Sequence, residues 1–193
     1  MQVVGLVGYI ASGKSTISTH FVDRGFVYYK LSDAIREECL DRDLPITRVN
    51  LQNVGNELRE KHGGAVLAQR VLELAKNNDQ VVIDGVRNPE EVEYLRQHSE
   101  AFILGVVAPQ YVRMQRYLER ASDRGEDGVT KVSFLRANQR EKGVGEEESG
   151  QQVEACLELV DHTIHNTGSL DDLLLSCEEL IQSNFFNGEI PVI

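Results

Sequence analysis

The sequence is poor in cysteine, in basic residues and in long apolar runs. Its three cysteines, Cys39, Cys156 and Cys177, are far apart in 193 residues, so they suggest neither a CxxC metal site nor a disulfide framework. No apolar run approaches the roughly 18 residues that a membrane helix needs, and Met1–Val4 carries no basic leader. These absences predict a cytoplasmic protein with reduced, packed cysteines and no membrane partner.

Basic residues number only 20 against 31 acidic residues, which gives a net charge of −11. That balance argues against a general binder of nucleic acid or of an anionic membrane surface. Any anionic ligand must therefore be met by a local group of cations. The hydrophobic share of 41% and the charged share of 26% are ordinary for globular proteins, which disfavours the disordered, collagenous and disulfide-scaffold classes. We predict a single folded domain over residues 1–193.

Short apolar runs alternate with helical stretches along the chain. The runs are Gln2–Val7, Phe26–Tyr29, Val81–Ile83, Ala101–Val107 and Leu159–Ile164. Helix starts are predicted at Ser32, Thr47, Asn88 and Ser169, and an exposed loop at residues 121–131. The tail 183–193 is irregular, and its Phe185–Phe186 pair is expected to pack on the body of the protein. This alternation predicts an α/β fold with a parallel sheet.

The strongest motif is Gly8–Ser15, GYIASGKS, which matches the P-loop pattern GxxxxGK[ST]. It follows an apolar strand and leads into a helix, so its backbone N–H groups can surround phosphate at a helix N-terminus. Lys14 would bridge the β- and γ-phosphates, and the Ser15 hydroxyl would complete a Mg²⁺ shell. The predicted nucleotide-binding residues here are Gly8, Ala11, Ser12, Gly13, Lys14, Ser15 and Thr16.

Two further groups of polar residues follow predicted strands. Asp84 and Arg87 come after Val81–Ile83, at the sheet edge where open α/β proteins bind ligands, so Asp84 can hold Mg²⁺ while Arg87 faces phosphate. Asp33 and Arg36 lie three residues apart on one helix face and are candidates to contact the second substrate. A helix cap at Asp84 and a surface ion pair between Asp33 and Arg36 are the alternative interpretations.

Basic charge is concentrated between residues 110 and 145, which hold eight basic and five acidic residues. Arg116, Arg120 and Arg124 recur every four residues and form one helical stripe that points to the predicted loop. A lid that clamps phosphate needs this arrangement, because arginine charge and water exclusion both stabilise a transferring phosphoryl group. A solvated helix face, with Glu119 and Asp123 as ion partners, is the alternative.

With these motifs in this order, the chain resembles the P-loop kinases of small phosphorylated molecules, the nucleoside monophosphate kinase and dephospho-CoA kinase group, and looks most like a prokaryotic branch of it. The similarity runs from Gln2 to about Ile181. It implies a P-loop NTPase fold of three α/β/α layers, with a five-stranded parallel sheet in the order 2-3-1-4-5. It also implies an acceptor-binding region at about 31–80 and a helical lid at about 113–145.

The resemblance also implies roles for individual residues. Asp33 and Arg36 match the D-x-x-R after the second strand, whose arginine binds the acceptor's phosphate. Asp84-Gly85 with Arg87 resembles D-G-x-P-R, although it is one residue shorter and lacks the proline.

Arg116 and Arg120 resemble the lid-entry R-x-x-x-R, whose first arginine lies on adenine and whose second reaches phosphate. Asn166 and Gly168 lie in a segment similar to the loop that lines the adenine pocket. Residues 51–59 resemble deoxynucleotide kinases in the region that touches the acceptor, which makes Gln52 and Arg59 acceptor candidates.

We therefore predict an ATP- and Mg²⁺-dependent kinase that transfers a γ-phosphoryl group to a nucleoside or deoxynucleoside monophosphate, as a monomer or homodimer. The predicted catalytic residues are Lys14, Asp33, Arg120 and Arg124. One alternative is a dephospho-CoA kinase-like transfer to a hydroxyl, for which Asp33 would be the base. Another is an ATP-binding switch or a partner-activated ATPase.

Overall fold

A five-stranded sheet forms the centre of the protein in the computed structural model, which describes residues 1–124, 129–144 and 150–185. The strands are β1 (Gln2–Val7), β2 (Val27–Lys30), β3 (Gln80–Val86), β4 (Glu100–Val107) and β5 (His162–His165). The helices are α1 (Lys14–Val22), α2 (Leu31–Asp41), α3 (Arg48–His62), α4 (Val66–Ala75), α5 (Pro89–His98), α6 (Gln110–Arg124), α7 (Lys131–Glu141), α8 (Val153–Leu157) and α9 (Leu170–Asn184). The strands are parallel and lie in the order β2-β3-β1-β4-β5, which confirms the predicted sheet.

β1 lies in the middle of the sheet because both of its faces are apolar. Val3 and Val7 pack in one core with α2, α3, α4 and α5, whereas Val4 and Leu6 pack in a second core with α1 and α9. Side chains alternate across a strand, so these four buried residues serve the two sides of the sheet in turn. The predicted three-layer α/β/α arrangement is confirmed.

Hydrogen bonds at the helix N-termini explain where several helices begin. Thr47, Asn88 and Ser169 cap α3, α5 and α9, each accepting a hydrogen bond from a backbone N–H of the first turn. Ser32 was expected to precede a helix, but α2 begins one residue earlier, at Leu31. The Leu31 side chain is buried in the first core, so the chain turns into the helix directly at the end of β2.

The helices around the predicted 121–131 loop correct its bounds. α6 continues to Arg124, because residues 121–124 contain neither glycine nor proline to stop it. α7 begins at Lys131, and Thr130 caps it by accepting a hydrogen bond from the Ser133 N–H. Residues 125–128 lie outside the described part of the chain. β5 starts at His162 rather than Leu159, and Leu159 packs against the first core from the preceding turn.

The start of the C-terminal tail packs on the protein as expected. The Phe185 ring meets the rings of Phe21, Phe26 and Phe102 edge-on, at centroid distances of 6.1, 5.5 and 5.8 Å. Phe186 and the rest of the tail lie outside the described residues. In the described part of the chain, every helix is too short or too polar to cross a membrane.

Candidate active site

The loop between β1 and α1 has the backbone path that the GxxxxGK[ST] motif predicts. Gly13 caps α1 with φ +112°, a conformation that favours glycine. A Cβ at Gly8 would lie only 2.4 Å from the Val106 carbonyl oxygen, so a side chain there would strike the end of β4. The Lys14 ammonium donates to the carbonyl oxygens of Gly8 and Tyr9, at 2.7 and 3.2 Å. The loop therefore curls around its own lysine.

Asn166, just beyond β5, holds this loop from the other side. Its Nδ2 donates to the Ser12 carbonyl oxygen at 2.8 Å, and a Cβ on Gly13 would collide with that same nitrogen. Arg116 on α6 donates to the Asn166 side-chain oxygen at 3.2 Å. Two of the residues predicted for the adenine pocket are thus joined at the P-loop. Gly168, the third, lies near the N-terminus of α9, where a Cβ would meet the Asp172 carboxylate.

A cleft of about 440 Å³ opens over the P-loop. Residues 10–16 line it together with Asp84, Arg87, Arg116, Arg120 and Glu141. Lys14 and three arginines there face two carboxylates, so a cation-rich site exists locally in a protein whose net charge is −11. Such a site is suited to the charge of a triphosphate. Arg124 ends α6, and its side chain lies outside what the structure describes.

Asp84 lies inside β3 rather than at its end, because the strand continues to Val86. The register against β1 shifts at this point: Leu6 pairs with Asp84 and Val7 with Val86, which leaves Gly85 as an extra residue with φ +92°. The bulge places Asp84 and Arg87 on the same cleft. The strand end predicted from the sequence was therefore wrong by three residues, although the carboxylate still lines the cleft.

The two oxygens of the Asp84 carboxylate have different surroundings. The Tyr28 hydroxyl donates to Oδ2 at 3.3 Å, whereas Oδ1 is buried without a hydrogen-bond partner among the described residues. Burial, followed by the nearby Asp84 charge, raises the pKa of Tyr28, so its hydroxyl stays a donor. A buried, unpartnered carboxylate oxygen on the cleft that Ser15 also lines fits a Mg²⁺ ligand set.

A second, smaller cavity of about 140 Å³ adjoins the first. Arg36, Gln52, Arg59 and Arg87 line it, and Arg87 also lines the cleft over the P-loop. The structure therefore brings the four basic or amide candidates for the acceptor together. Asp33 lines neither cavity, since its carboxylate is 57% exposed and contacts the Arg36 Nε at 3.7 Å.

Arg59 differs from the other two arginines because its charge is already neutralised. Its Nε and Nη2 donate to Glu91 Oε1 at 3.0 and 2.8 Å. The Arg59 side chain is 3% exposed and the Glu91 side chain 0%. The other oxygen of Glu91 accepts from the backbone N–H groups of Arg87 and Asn88. This ion pair joins α3 to α5, so Arg59 forms part of the cavity wall, while Arg36 and Arg87 carry the more exposed charges.

Sequence reasoning missed Glu141, which is 1% exposed at the end of α7. Its Oε2 accepts a hydrogen bond from the Ile10 backbone N–H in the P-loop at 2.6 Å, and its Oε1 lies 3.9 Å from Arg87 Nη1. One turn earlier, Asn138 accepts from Arg113 at 2.8 Å. Nothing in the spacing of these polar residues distinguishes them from a solvated helix face.

Arg113 begins the segment 113–145 that the resemblance implies as a lid, and its side chain is buried. Its guanidinium donates to the carbonyl oxygens of Ala108 and Ile10 at 3.0 and 3.3 Å and lies 4.9 Å from the Tyr9 ring centroid. Burial lowers the pKa of Arg113 and raises the pKa of Tyr9 to about 12. Arg113 and Glu141 hold the carbonyl and the amide of Ile10, so α6 and α7 are attached to the P-loop.

The fold and this cleft define a P-loop α/β domain. Solved small-molecule kinases share the fold: a shikimate kinase from Acinetobacter baumannii in complex with shikimate has a TM-score of 0.56 at 18% identity, covering 95% of this chain and 94% of that chain. A gluconokinase from Sinorhizobium meliloti 1021 also has a TM-score of 0.56, at 14% identity, covering 97% and 98%. A family model described as AAA domain matches residues 4–149.

The chain belongs to the UPF0200 family as well as to that AAA domain family. It is 36% identical over 174 residues to a UPF0200 protein of Aeropyrum pernix, which covers 89% of this chain and 87% of the relative. It is 34% identical over 198 residues to a UPF0200/UPF0201 protein of Archaeoglobus fulgidus, and it spans 58% of the length of that relative. These comparisons show the family and a fold that solved small-molecule kinases share.

Proposed function

We propose that this protein is an ATP- and Mg²⁺-dependent phosphotransferase that moves the γ-phosphoryl group of ATP onto a nucleoside or deoxynucleoside monophosphate. The observation that carries the proposal is the pair of adjoining cavities, one over the P-loop and one lined by arginines, with Arg87 in the wall of both. A phosphotransferase needs one site for the donor nucleotide and one for the acceptor, whereas a nucleotide hydrolase needs only the nucleotide site and a water molecule.

The donor side is supported by the P-loop and its neighbours. Lys14 and the loop amides would hold the β- and γ-phosphates, and Arg116 beside Asn166 would border the nucleotide. Ser15 and Asp84 would hold Mg²⁺, which neutralises phosphate charge when it is bound. Arg120, on the same cleft, would stabilise the charge of the transferring group.

The acceptor side favours a phosphate over a hydroxyl as the attacking group. Arg36 and Arg87 can hold an anionic acceptor, and Asp33, the carboxylate that would act as base toward a hydroxyl, lines neither cavity. A phosphate oxygen would attack the γ-phosphorus while the bond to the β–γ bridging oxygen breaks and its electron pair leaves with ADP. A monophosphate dianion needs no base, because its attacking oxygen carries no proton.

A hydroxyl acceptor is the second candidate, because one observation favours it. The Glu141 carboxylate lines the donor cleft 3.9 Å from Arg87, where the two cavities meet, and it could accept a proton from a hydroxyl. The acceptor test therefore includes hydroxyl substrates.

ADP formation from Mg-ATP should be measured with ribo- and deoxynucleoside monophosphates, dephospho-CoA, shikimate and gluconate, and without any acceptor. We expect turnover that depends on a monophosphate and disappears in Lys14→Ala. Turnover with a hydroxyl acceptor but with none of the monophosphates would favour the second candidate. Equal turnover with and without acceptors, or tight ATP binding without turnover, would contradict both and favour an ATPase or a nucleotide switch.

A further inference from the structure

Gln52 on α3 is a buried polar side chain with incomplete hydrogen bonding. It lines the smaller cavity described above, which is called the acceptor cavity from here on. It is 6% exposed, and its Nε2 has no hydrogen-bond partner among the described residues. A buried donor without a partner is unfavourable, so it marks a position where a ligand atom can complete the site.

Arg140 on α7 determines how the Gln52 amide is oriented. Its Nη1 donates to Gln52 Oε1 at 3.2 Å and to the neighbouring Asn53 Oδ1 at the same distance. Because a guanidinium only donates hydrogen bonds, the amide oxygen must face Arg140 and the amide nitrogen must face away from it. The unpartnered group of Gln52 is therefore its NH2 donor.

The rest of the cavity has the same bias toward donors. Arg36 and Arg87 contribute guanidinium groups, which only donate hydrogen bonds, while the Arg59 guanidinium is paired with Glu91. Ser32 adds a hydroxyl, which can both donate and accept. The Gln151 side-chain oxygen already accepts from Arg87 at 3.1 Å. Such a wall suits a ligand rich in acceptor oxygens and disfavours a polyol, each of whose hydroxyls also has a proton to donate.

The apolar part of the wall indicates the shape of the ligand. Leu31, Ile35, Leu51 and Leu67 line the same cavity and offer apolar contact to a flat ring. A nucleobase has apolar faces and a polar edge, so it matches apolar walls with one donor between them. An anionic phosphate for the arginines and a ring with a carbonyl oxygen for Gln52 together satisfy this lining.

We propose that Gln52 selects the acceptor: the Arg140-oriented amide donates to a carbonyl oxygen of the base, so the acceptor is a monophosphate of a base that carries one, which uracil, thymine, cytosine and guanine do and adenine does not. This inference rests on the proposed function and specifies its substrate. Gln52 is the specificity-determining residue, and Arg140 is a positioning residue that acts through it.

The test compares UMP, dTMP, CMP and GMP with AMP as acceptors for wild type, Gln52→Glu, Gln52→Leu and Arg140→Gln. Asn53→Asp is the matched control, since Asn53 also accepts from Arg140 but is exposed and does not line the cavity. For the substrates whose base carries a carbonyl oxygen, we expect Gln52→Glu to lower kcat/KM about tenfold or more through KM. The KM for ATP should stay within about twofold, because Gln52 does not line the donor cleft.

Arg140→Gln should reduce the preference for monophosphates of carbonyl-bearing bases over AMP, because the Gln52 amide can then present either end. Gln52→Leu should weaken the same substrates and keeps the test valid if the added carboxylate disturbs folding. A wild type that prefers AMP, or a base preference unchanged in both Gln52 variants, would overturn the inference. If the wild type binds Mg-ATP but phosphorylates no monophosphate, the proposed function fails first, and this inference fails with it.

Discussion

The donor cleft and the acceptor cavity are built in different ways. The donor loop is one continuous segment whose backbone would bind phosphate under the proposed function, and glycines at positions 8 and 13 allow its path. The acceptor cavity is assembled from side chains of α2, α3 and α4, with Gly85, Arg87 and Gln151 from other parts of the chain. A backbone site tolerates little change along its length, whereas a side-chain site can change its ligand by single substitutions. The following predictions test that contrast, from the largest expected effect to the smallest.

Lys14→Ala should lower kcat by about 10³-fold or more, because it removes a cation that stabilises phosphoryl charge in the transition state. The free energy of unfolding should change little, since the carbonyl groups of Gly8 and Tyr9 to which Lys14 donates are only partly buried and belong to its own loop. Acceptor-dependent ADP formation and urea unfolding would measure the two effects. Retained activity would contradict the proposed donor site.

Arg59→Ala should lower the free energy of unfolding by about 3–5 kcal/mol, because it leaves the Glu91 carboxylate buried without its partner. Arg36→Ala is the matched control in the same cavity: its side chain is 47% exposed, so it should alter acceptor KM and leave stability nearly unchanged. Urea denaturation of both variants distinguishes them. Equal stability loss would show that this division between wall and binding residue is wrong.

Arg120→Ala should lower kcat by about 10²-fold, more than it raises acceptor KM, because the proposed contact strengthens as the phosphoryl group transfers. Steady-state kinetics with the acceptor that the substrate panel identifies would check this. An unchanged kcat would remove Arg120 from the catalytic group and favour the solvated helix face.

Tyr28→Phe should lower the affinity of the nucleotide complex for its divalent metal ion about tenfold, because the hydroxyl that donates to Asp84 Oδ2 is lost. Tyr29→Phe is the control, since the Tyr29 hydroxyl accepts from Asn78 instead. Mn²⁺ titration of the ADP complex by electron paramagnetic resonance reports metal affinity without turnover. The same affinity in both variants would exclude an orienting role for Tyr28.

Features that depend on residues close together in the sequence were predictable. The P-loop, the alternation of strands and helices and the capping residues of α3, α5 and α9 each depend on a few neighbouring residues, and the structure agrees with them. The errors lie where distant contacts outweigh local preference. Leu31 starts α2 early because it packs in a core, and β3 passes Asp84 because Gly85 forms a bulge against β1.

Long-range pairing also separated residues that look alike in the sequence. Arg59 and Arg113 are arginines in polar helical stretches, as are Arg36 and Arg116, yet the first two are buried and bound to protein groups. Glu141 gives no local signal, although it binds a loop residue 131 positions away.

The amino-acid sequence by itself determined the parallel α/β sheet and the P-loop, because the spacing of apolar residues, helix capping and the positions of glycines act between near neighbours. Only the tertiary structure decided which arginines remain available, which carboxylates reach the cleft and how the Gln52 amide is oriented. Those properties depend on burial and on partners from other elements, and neither is encoded in the spacing of residues along one segment.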